Sequence, residues 1–533
     1  MTASASNSDP RYARALTFFA DPARSKQLAK IRRGIEKEGV RCDNKGMISQ
    51  KPHPKGLGSA LTHPSITTDY SEALLEFITP VCDSTHEALA HLEVAHRYAF
   101  SQMEAELIWP NSMPCVVNGE LSVPIADYGS SNVGRLKHVY RHGLWHRYGR
   151  IMQCIAGIHY NYSFPDDLWE ELQALDGSSL SEQEYRSDRY FGLIRNFRRF
   201  SWLLIYLFGA SPAVCGSFLA GREHHLDSLT KHTLYSPWAT SLRMSDLGYT
   251  SNAQAGLKVC PNSVSDYIRT LEPALSVSVA DYENIGVRNA DGSYNQLNTG
   301  LLQIENEYYS DIRPKRVAPN GEKPLEALHK YGVEYVEIRC TDLNPFMPLG
   351  LDVPQAAFMD LFLTWCLLKE SPSIEEKDYQ RLASNLKKTV EEGRKPGLEL
   401  LGCDHLPITL EQWGLALLED MIPLAKLLDQ GNDHCFHLDA LEQQKLKLVD
   451  SERTPSAQVL RTMEETGMEF AELTLELARK HRKALSQPLA PAVHTSWKNL
   501  AESSAQEQPK MEQSDQLSFE DFLADYLKRE PLV

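Results

Sequence analysis

Over residues 30–80, apolar and polar positions alternate in the manner of paired strands. "RRGIEKEGVR" carries Ile35 and Val40 and runs into "DNKG", whose Asp, Asn and Gly favour a tight reversal. In "LLEFITP", Leu75 and Phe77 flank Glu76. The period then changes: Ser84 and Glu87 have capping-box spacing, and Leu89, Leu92, Ala95 and Ala99 follow at helical intervals. "RYARALTFF" predicts a short helix near the start, and residues 195–207 predict another, basic early and apolar late, stopped near "GASP". Residues 331–341 alternate strictly, with Val333, Tyr335, Glu337 and Arg339 on one face and Val336 and Ile338 on the other. Pro354 opens a helix with Ala357, Leu361, Trp365 and Leu368 on one core-facing side. From 486 to 516 the pattern dissolves into Ser, Gln, Glu and Pro, which predicts a flexible linker. "SFEDFLADYLKREPLV" predicts a short amphipathic helix through Phe519, Phe522, Leu523 and Tyr526. Strands and helices come in blocks, so an α+β fold is expected rather than a doubly wound sheet. Neither a Walker-type phosphate loop nor a G-x-G-x-x-G opening a helix is present.

Composition narrows the class. The 533 residues are 42% hydrophobic and 24% charged, ordinary for a globular protein. The net charge of −16 argues against general binding to nucleic acid or anionic membrane. The longest apolar stretch, "WLLIYLFGA", falls far short of the roughly 20 residues that span a bilayer, and the first residues lack a signal-peptide pattern. Ten cysteines without a Cys-x-x-Cys pair suggest neither a zinc site nor a disulfide framework, so a reduced, cytoplasmic setting is expected.

The chemistry begins at Glu36 and Glu38. On a strand they share a face, roughly 6–7 Å apart, where two charges repel by roughly 2–3 kcal/mol at an effective dielectric near 20. Alone, such a pair is more often a solvated strand face. Asp69, Glu76, His159 and Glu337 beside Arg339 each have a plain explanation too, as core or surface groups. The alternative is specific: carboxylates converge without prohibitive repulsion when divalent cations sit between them. Mg²⁺ takes oxygen ligands at about 2.0–2.1 Å, and a histidine ligand suits Mn²⁺ as well.

"RRGIEKEGVR", "LGSALTHPSITTDYSEALLEFITP", "YGSSNVGRLKHVYRHGL", "GIHYNYS", "LFGASPAVC", "ATSLRMSDLGYT", "LLQIENEYYSDIRPKR", "VEYVEIRCTDLNPF" and "EGRKPGLEL" occur in this order. Together they resemble the bacterial type of glutamate–cysteine ligase, over roughly residues 15–400. The resemblance implies ATP-dependent joining of the glutamate γ-carboxylate to the cysteine amino group through a γ-glutamyl phosphate, the first step of glutathione biosynthesis. A ligase of the same kind acting on a different amine is the alternative. It implies a fold like that of glutamine synthetase and the guanidino kinases: a curved, mostly antiparallel sheet forming a funnel with helices outside. Residues 1–485 would be one catalytic domain, followed by the linker and terminal helix. Glu36, Glu38, Asp69, Glu76, His159 and Glu337 would ligate Mg²⁺ or Mn²⁺. Arg339, beside Glu337, would neutralise the transferring phosphoryl group, with Arg313, Lys315 and Arg316 as further contacts to ATP. Tyr140, Leu144, Ile155, Arg243, Tyr249 and Tyr309 would line the cysteine site. The expected partners are L-glutamate, L-cysteine and ATP, with no nucleic acid or membrane, acting on a monomer. Two departures from many relatives stand out. Lys37-Glu38-Gly39 replaces Arg-Glu-Thr, which is expected to loosen the strand beside a ligand, and Pro64-Ser65 stands where an aromatic is common. The tail after 486 looks particular to this chain or a subgroup.

Overall fold

Seven strands form the main sheet: β1 (Arg32–Cys42), β2 (Ile66–Thr68), β3 (Leu74–Ile78), β4 (Leu107–Ile108), β5 (Ile158–Ser163), β6 (Ile312–Lys315) and β7 (Tyr335–Thr341). The computed structural model describes residues 9–248, 254, 256–319, 322–431 and 437–532. The strand order is β2-β3-β1-β5-β7-β6, every pairing antiparallel, with β4 joined to the end of β1. Helices outnumber the strands, and the fold is α+β. Gly39 does not loosen β1. The ladder continues through Gly39–Leu75 to Val40–Leu74, and a Cβ at Gly39 would lie 2.6 Å from Ile108 Cγ2, so that side chain fills the space.

One face of the sheet is a core face. Ile35, Leu75, Phe77, Tyr160, Tyr162, Val336 and Ile338 are buried there. The helices that position the site are α1 (Thr85–Gln102), α2 (Asn132–Tyr148), α3 (Glu182–Phe208), α4 (Val353–Leu368), α5 (Pro491–Ser514) and α6 (Phe519–Leu527). Tyr160 donates to Asp360 at 2.7 Å and Tyr162 bonds Thr364 at 2.6 Å, which fixes α4 against the sheet. Arg33 pairs with Asp360 at 2.9 Å in the same layer. The expected one-sided stripe on α4 is instead burial all round, because α4 lies between the sheet and further helices.

Other elements follow their local signals with instructive differences. The Pro10–Phe19 helix starts at an Asp9 cap, as the early segment predicts. At α1 the Ser84 side chain accepts from the Glu87 N–H, but Glu87 turns back to Asp83, so only half of the expected box forms. α3 begins at Glu182 under a full Ser181–Glu184 capping box, well before residue 195. Its early apolar residues, Tyr185 and Phe191 among them, are spread among charged neighbours that mask the stripe. The segment expected to be a flexible linker is the 24-residue helix α5. Trp497 anchors it against His63, His91 and Tyr98, and Thr62 and Ser59 bond Ser504 and Gln508 at 2.7 and 2.6 Å. Gly58 permits the approach: at φ +78, the place of its Cβ lies 2.5 Å from the Ala501 carbonyl oxygen. α6 follows where the terminal pattern predicts it. Among the described residues, no helix is long and apolar enough to cross a membrane.

Candidate active site

The pairing register gathers the acids. Glu36 stands opposite His159, Glu38 opposite Glu76, and Glu337 opposite Asn161 on one side and Arg313 on the other. Opposed residues share a face, as do residues two apart along a strand. Glu36, Glu38, Glu76, His159, Asn161, Glu337 and Arg339 therefore project from the face opposite α4. One ligand atom each from Glu36, Glu76 and His159 lies within 4.8 Å of the others. His159 Nδ1 is 3.1 Å from Glu36 Oε2, and its Nε2 is 3.8 Å from Glu38 Oε1. Asn161 donates to Glu36 at 2.8 Å and the Gly157 N–H to Glu38 at 2.6 Å, orienting both carboxylates. Glu337 pairs with Lys315 and with Arg339, each at 3.2 Å. Asp69 sits at the rim, 3.8 Å from Arg141, with 44% of its side chain exposed.

Burial and mutual charge divide these acids. Burial pushes Glu76 well above the ordinary carboxylate range, and Glu36, Asp69 and Glu38 add to the effect. Glu38 is raised as well, by burial against the pull of His159. Partial burial would raise Glu36 too, yet its hydrogen bond and charge contact with His159 hold it below its usual value. Glu337 is held low despite burial by Arg339 and then Lys315. A face that keeps two carboxyls ionised and raises two others stores repulsion that a cation relieves. Two ligands at about 2.1 Å from one Mg²⁺ lie at most about 4.2 Å apart, so a 4.8 Å spread needs only small rotations. Carboxylate oxygens with one imidazole nitrogen are a donor set for Mg²⁺ or Mn²⁺. The residues fit.

The remaining sequence candidates separate. Lys315 and Arg339 reach the acids. Arg313 shares their face but is spent on the Asn306 and Tyr308 carbonyls. Arg316, past the end of β6, turns to Glu334 at 3.7 Å and to the Tyr331 ring. A cleft of about 310 Å³ opens beside Arg339, lined also by Arg198, Arg243, Gln254, Tyr309 and Tyr379. The Arg243 guanidinium occupies the place of a Cβ at Gly157, 2.1 Å away, and donates to the Arg339 carbonyl at 2.8 Å. The Tyr309 hydroxyl bonds Gln153 at 3.4 Å. Tyr140, Leu144 and Ile155 lie outside this cleft: Leu144 and Ile155 are buried, and Tyr140 is half-buried close to Tyr309 and Asp69. Tyr249 lies outside the described residues. Sequence reasoning missed Asn161, although its place two residues after His159 marks it. It also missed Arg198 and Gln254, which carry no local signal.

The site is an acid-rich antiparallel sheet face bordered by guanidinium and ammonium groups. The family model "Glutamate-cysteine ligase" matches residues 16–389. A glutamate–cysteine ligase of Alcanivorax borkumensis is 50% identical over 504 residues, covering 94% of this chain and 96% of the relative. One of Pseudomonas aeruginosa is 49% identical over 514 residues, covering 96% and 97%. A crystal structure of glutamate–cysteine ligase from Francisella tularensis in complex with AMP superposes with a TM-score of 0.88 at 37% identity, covering 93% of this chain and 97% of that one. The chain belongs to the glutamate–cysteine ligase family. It is an enzyme, a ligase of the first step of glutathione biosynthesis. A match over 96% of the chain reaches into the tail after 486, so of the two expectations for that segment, sharing by a subgroup of relatives is the one that holds.

Proposed function

We propose that this chain joins the γ-carboxylate of L-glutamate to the amino group of L-cysteine, consuming ATP and passing through a γ-glutamyl phosphate. The observation that carries the reading is the convergence of Glu36, Glu76 and His159 within 4.8 Å on a sheet face beside Arg339. The Francisella relative was solved with AMP, which supports a nucleotide at this fold's site. Glu36, Glu38, Glu76, His159 and Glu337 would hold Mg²⁺ or Mn²⁺, with Asp69 at the rim. Bound there, the cation supplies charge neutralisation for the phosphates. Arg339 is oriented by Glu337 and presents a planar fork suited to phosphate oxygens. Lys315 adds a second positive charge on the same side. The glutamate γ-carboxylate attacks the γ-phosphorus of ATP, and ADP leaves. The cysteine amine then attacks the acyl carbon, losing a proton, and phosphate leaves. Tyr140 and Tyr309, with Arg243, hold the cysteine so that its amine meets the acyl phosphate.

The test follows ADP release with Mg²⁺, ATP and glutamate as single amines are added. Cysteine is expected to stimulate release most. 2-Aminobutyrate is expected to replace it with a loss of about 10–200-fold in kcat/KM, the range open to a pocket that reads a near-isosteric side chain by shape. A different amine outperforming cysteine would favour the alternative ligase. A selectivity far above about a thousandfold would mean a dedicated thiol contact.

A further inference from the structure

The segment from the last turn of α5 through α6 to Arg529 packs against Tyr140 and pairs with the turn that leads to Tyr309. Phe519 and Leu523 of α6 bury with Val139 and Leu297 in a small apolar cluster apart from the main core, and Tyr140 packs against it. Arg135 lies over the Phe519 ring at 4.2 Å, and Tyr294 meets that ring edge-on at 5.3 Å. Just before α6, Asp515 accepts from the Asn132 N–H at 2.6 Å and Glu512 from the Ser130 N–H at 2.9 Å. Both carboxylates therefore sit at the N-terminus of α2, where the helix dipole favours them. α2 carries Tyr140.

Beyond α6, Arg529 pairs with Glu305 at 2.9 Å, the two side chains only 14% and 5% exposed. Glu305 opens the short turn Glu305–Glu307. The other end of that turn is held from inside. Glu307 is fully buried, pairs with Arg147 of α2 at 3.3 Å, and accepts from the Tyr148 hydroxyl at 2.8 Å. Tyr309 follows two residues later, its N–H bound to Gln254 at 3.1 Å. One acid of the turn is thus neutralised by α2 and the other by the tail.

We propose that the tail is a strap that sets the cysteine wall, with Arg529 and Phe519 as positioning residues for Tyr309 and Tyr140; this rests on the reading of those tyrosines given above. Neither touches the acids of β1, β3 and β7. Their effect is confined to the amine substrate. Losing the Arg529 partner leaves Glu305 buried without a counter-charge, which shifts the turn, and a displacement near 1 Å is enough to cost binding geometry.

The test is steady-state kinetics on the full chain, with each substrate varied in turn. Arg529→Ala and Phe519→Ala are each expected to raise the cysteine KM by about tenfold, while kcat and the KM values for ATP and glutamate stay within about twofold. Arg529→Lys is expected to recover most of the loss. Tyr140→Ala and Tyr309→Ala serve as references. If they raise the cysteine KM while the strap variants do not, the strap is wrong and the wall stands. If they leave it unchanged, the wall fails and the strap with it. A uniform rise of all three KM values with a fall in kcat would make the tail a general support and overturn the proposal.

Discussion

The two faces of β1 treat buried charge in opposite ways. On one face Glu36 and Glu38 join Glu76, His159 and Glu337, and Glu36 keeps a fifth of its side chain exposed. On the other, Lys37 is buried with a single described polar partner, His96 Nε2, at 2.9 Å. His96 stacks on Phe77 and is bonded through Nδ1 to the Leu92 carbonyl at 2.8 Å. The face that solvent and ions can enter is able to relieve its repulsion by gaining a counter-ion. On the sealed face Arg33 has Asp360 as its counter-ion, but Lys37 has no carboxylate beside it, and burial pushes Lys37 down to about 7, so relief comes by losing a proton. One strand carries both solutions because its side chains alternate.

Removing a carboxylate from the open face gives the largest expected effect. Glu36→Gln should lower turnover by about a hundredfold or more, the scale of losing one preorganised electrostatic group. Without added metal its melting temperature should fall modestly at neutral pH, because the ionised carboxylate that His159 holds below its usual range stabilises the fold. Full activity in that variant would remove Glu36 from the cation site.

A substitution on the sealed face sharpens the contrast. In the unfolded chain Lys37 keeps its proton up to about 10.5, whereas in the fold it loses it near 7. The unfolded state therefore binds more protons between those values, and stability rises with pH through that window. Lys37→Met abolishes this contribution. From pH 7 to 10 the parent should gain about 2–4 kcal/mol of unfolding free energy relative to the variant. Parallel stability curves would mean that Lys37 is not forced neutral.

The smallest expected effect concerns the cation itself. Glu76 and Glu38 are raised, so without metal the fold holds their protons and loses stability as pH climbs above the ordinary carboxylate range. Mg²⁺ competes with those protons. The rise in melting temperature on adding Mg²⁺ should be larger at pH 8 than at pH 6, by a few degrees. An equal or reversed increment in differential scanning calorimetry would show that these carboxyls do not hold the ion.

Much of the site was legible because it is local. Glu36 and Glu38 share a face through the pleat alone, as do Glu337 and Arg339, and that holds in the structure. The Asp9 and Ser84 caps and α6 follow from short-range chemistry. What failed depended on distant partners. α5 looked like a linker because its few buried residues, Trp497, Ala501 and Ser504, are sparse in a polar segment, and their partners, such as Ser59 for Ser504, lie far back along the chain. Lys315 and Arg316 looked equivalent, yet the end of β6 sends them to different surroundings.

By itself the sequence determined which side chains lie together within each strand and where most helices begin, since pleat, helical period and capping act over two to four residues. Only the tertiary structure decided that β3 and β5 flank β1, and so brought Glu76 and His159 to Glu36. It also decided that the tail returns to α2 and to the turn before Tyr309. The reason is physical: strand neighbours and register are set by burial shared across the whole chain, and no short stretch carries that information.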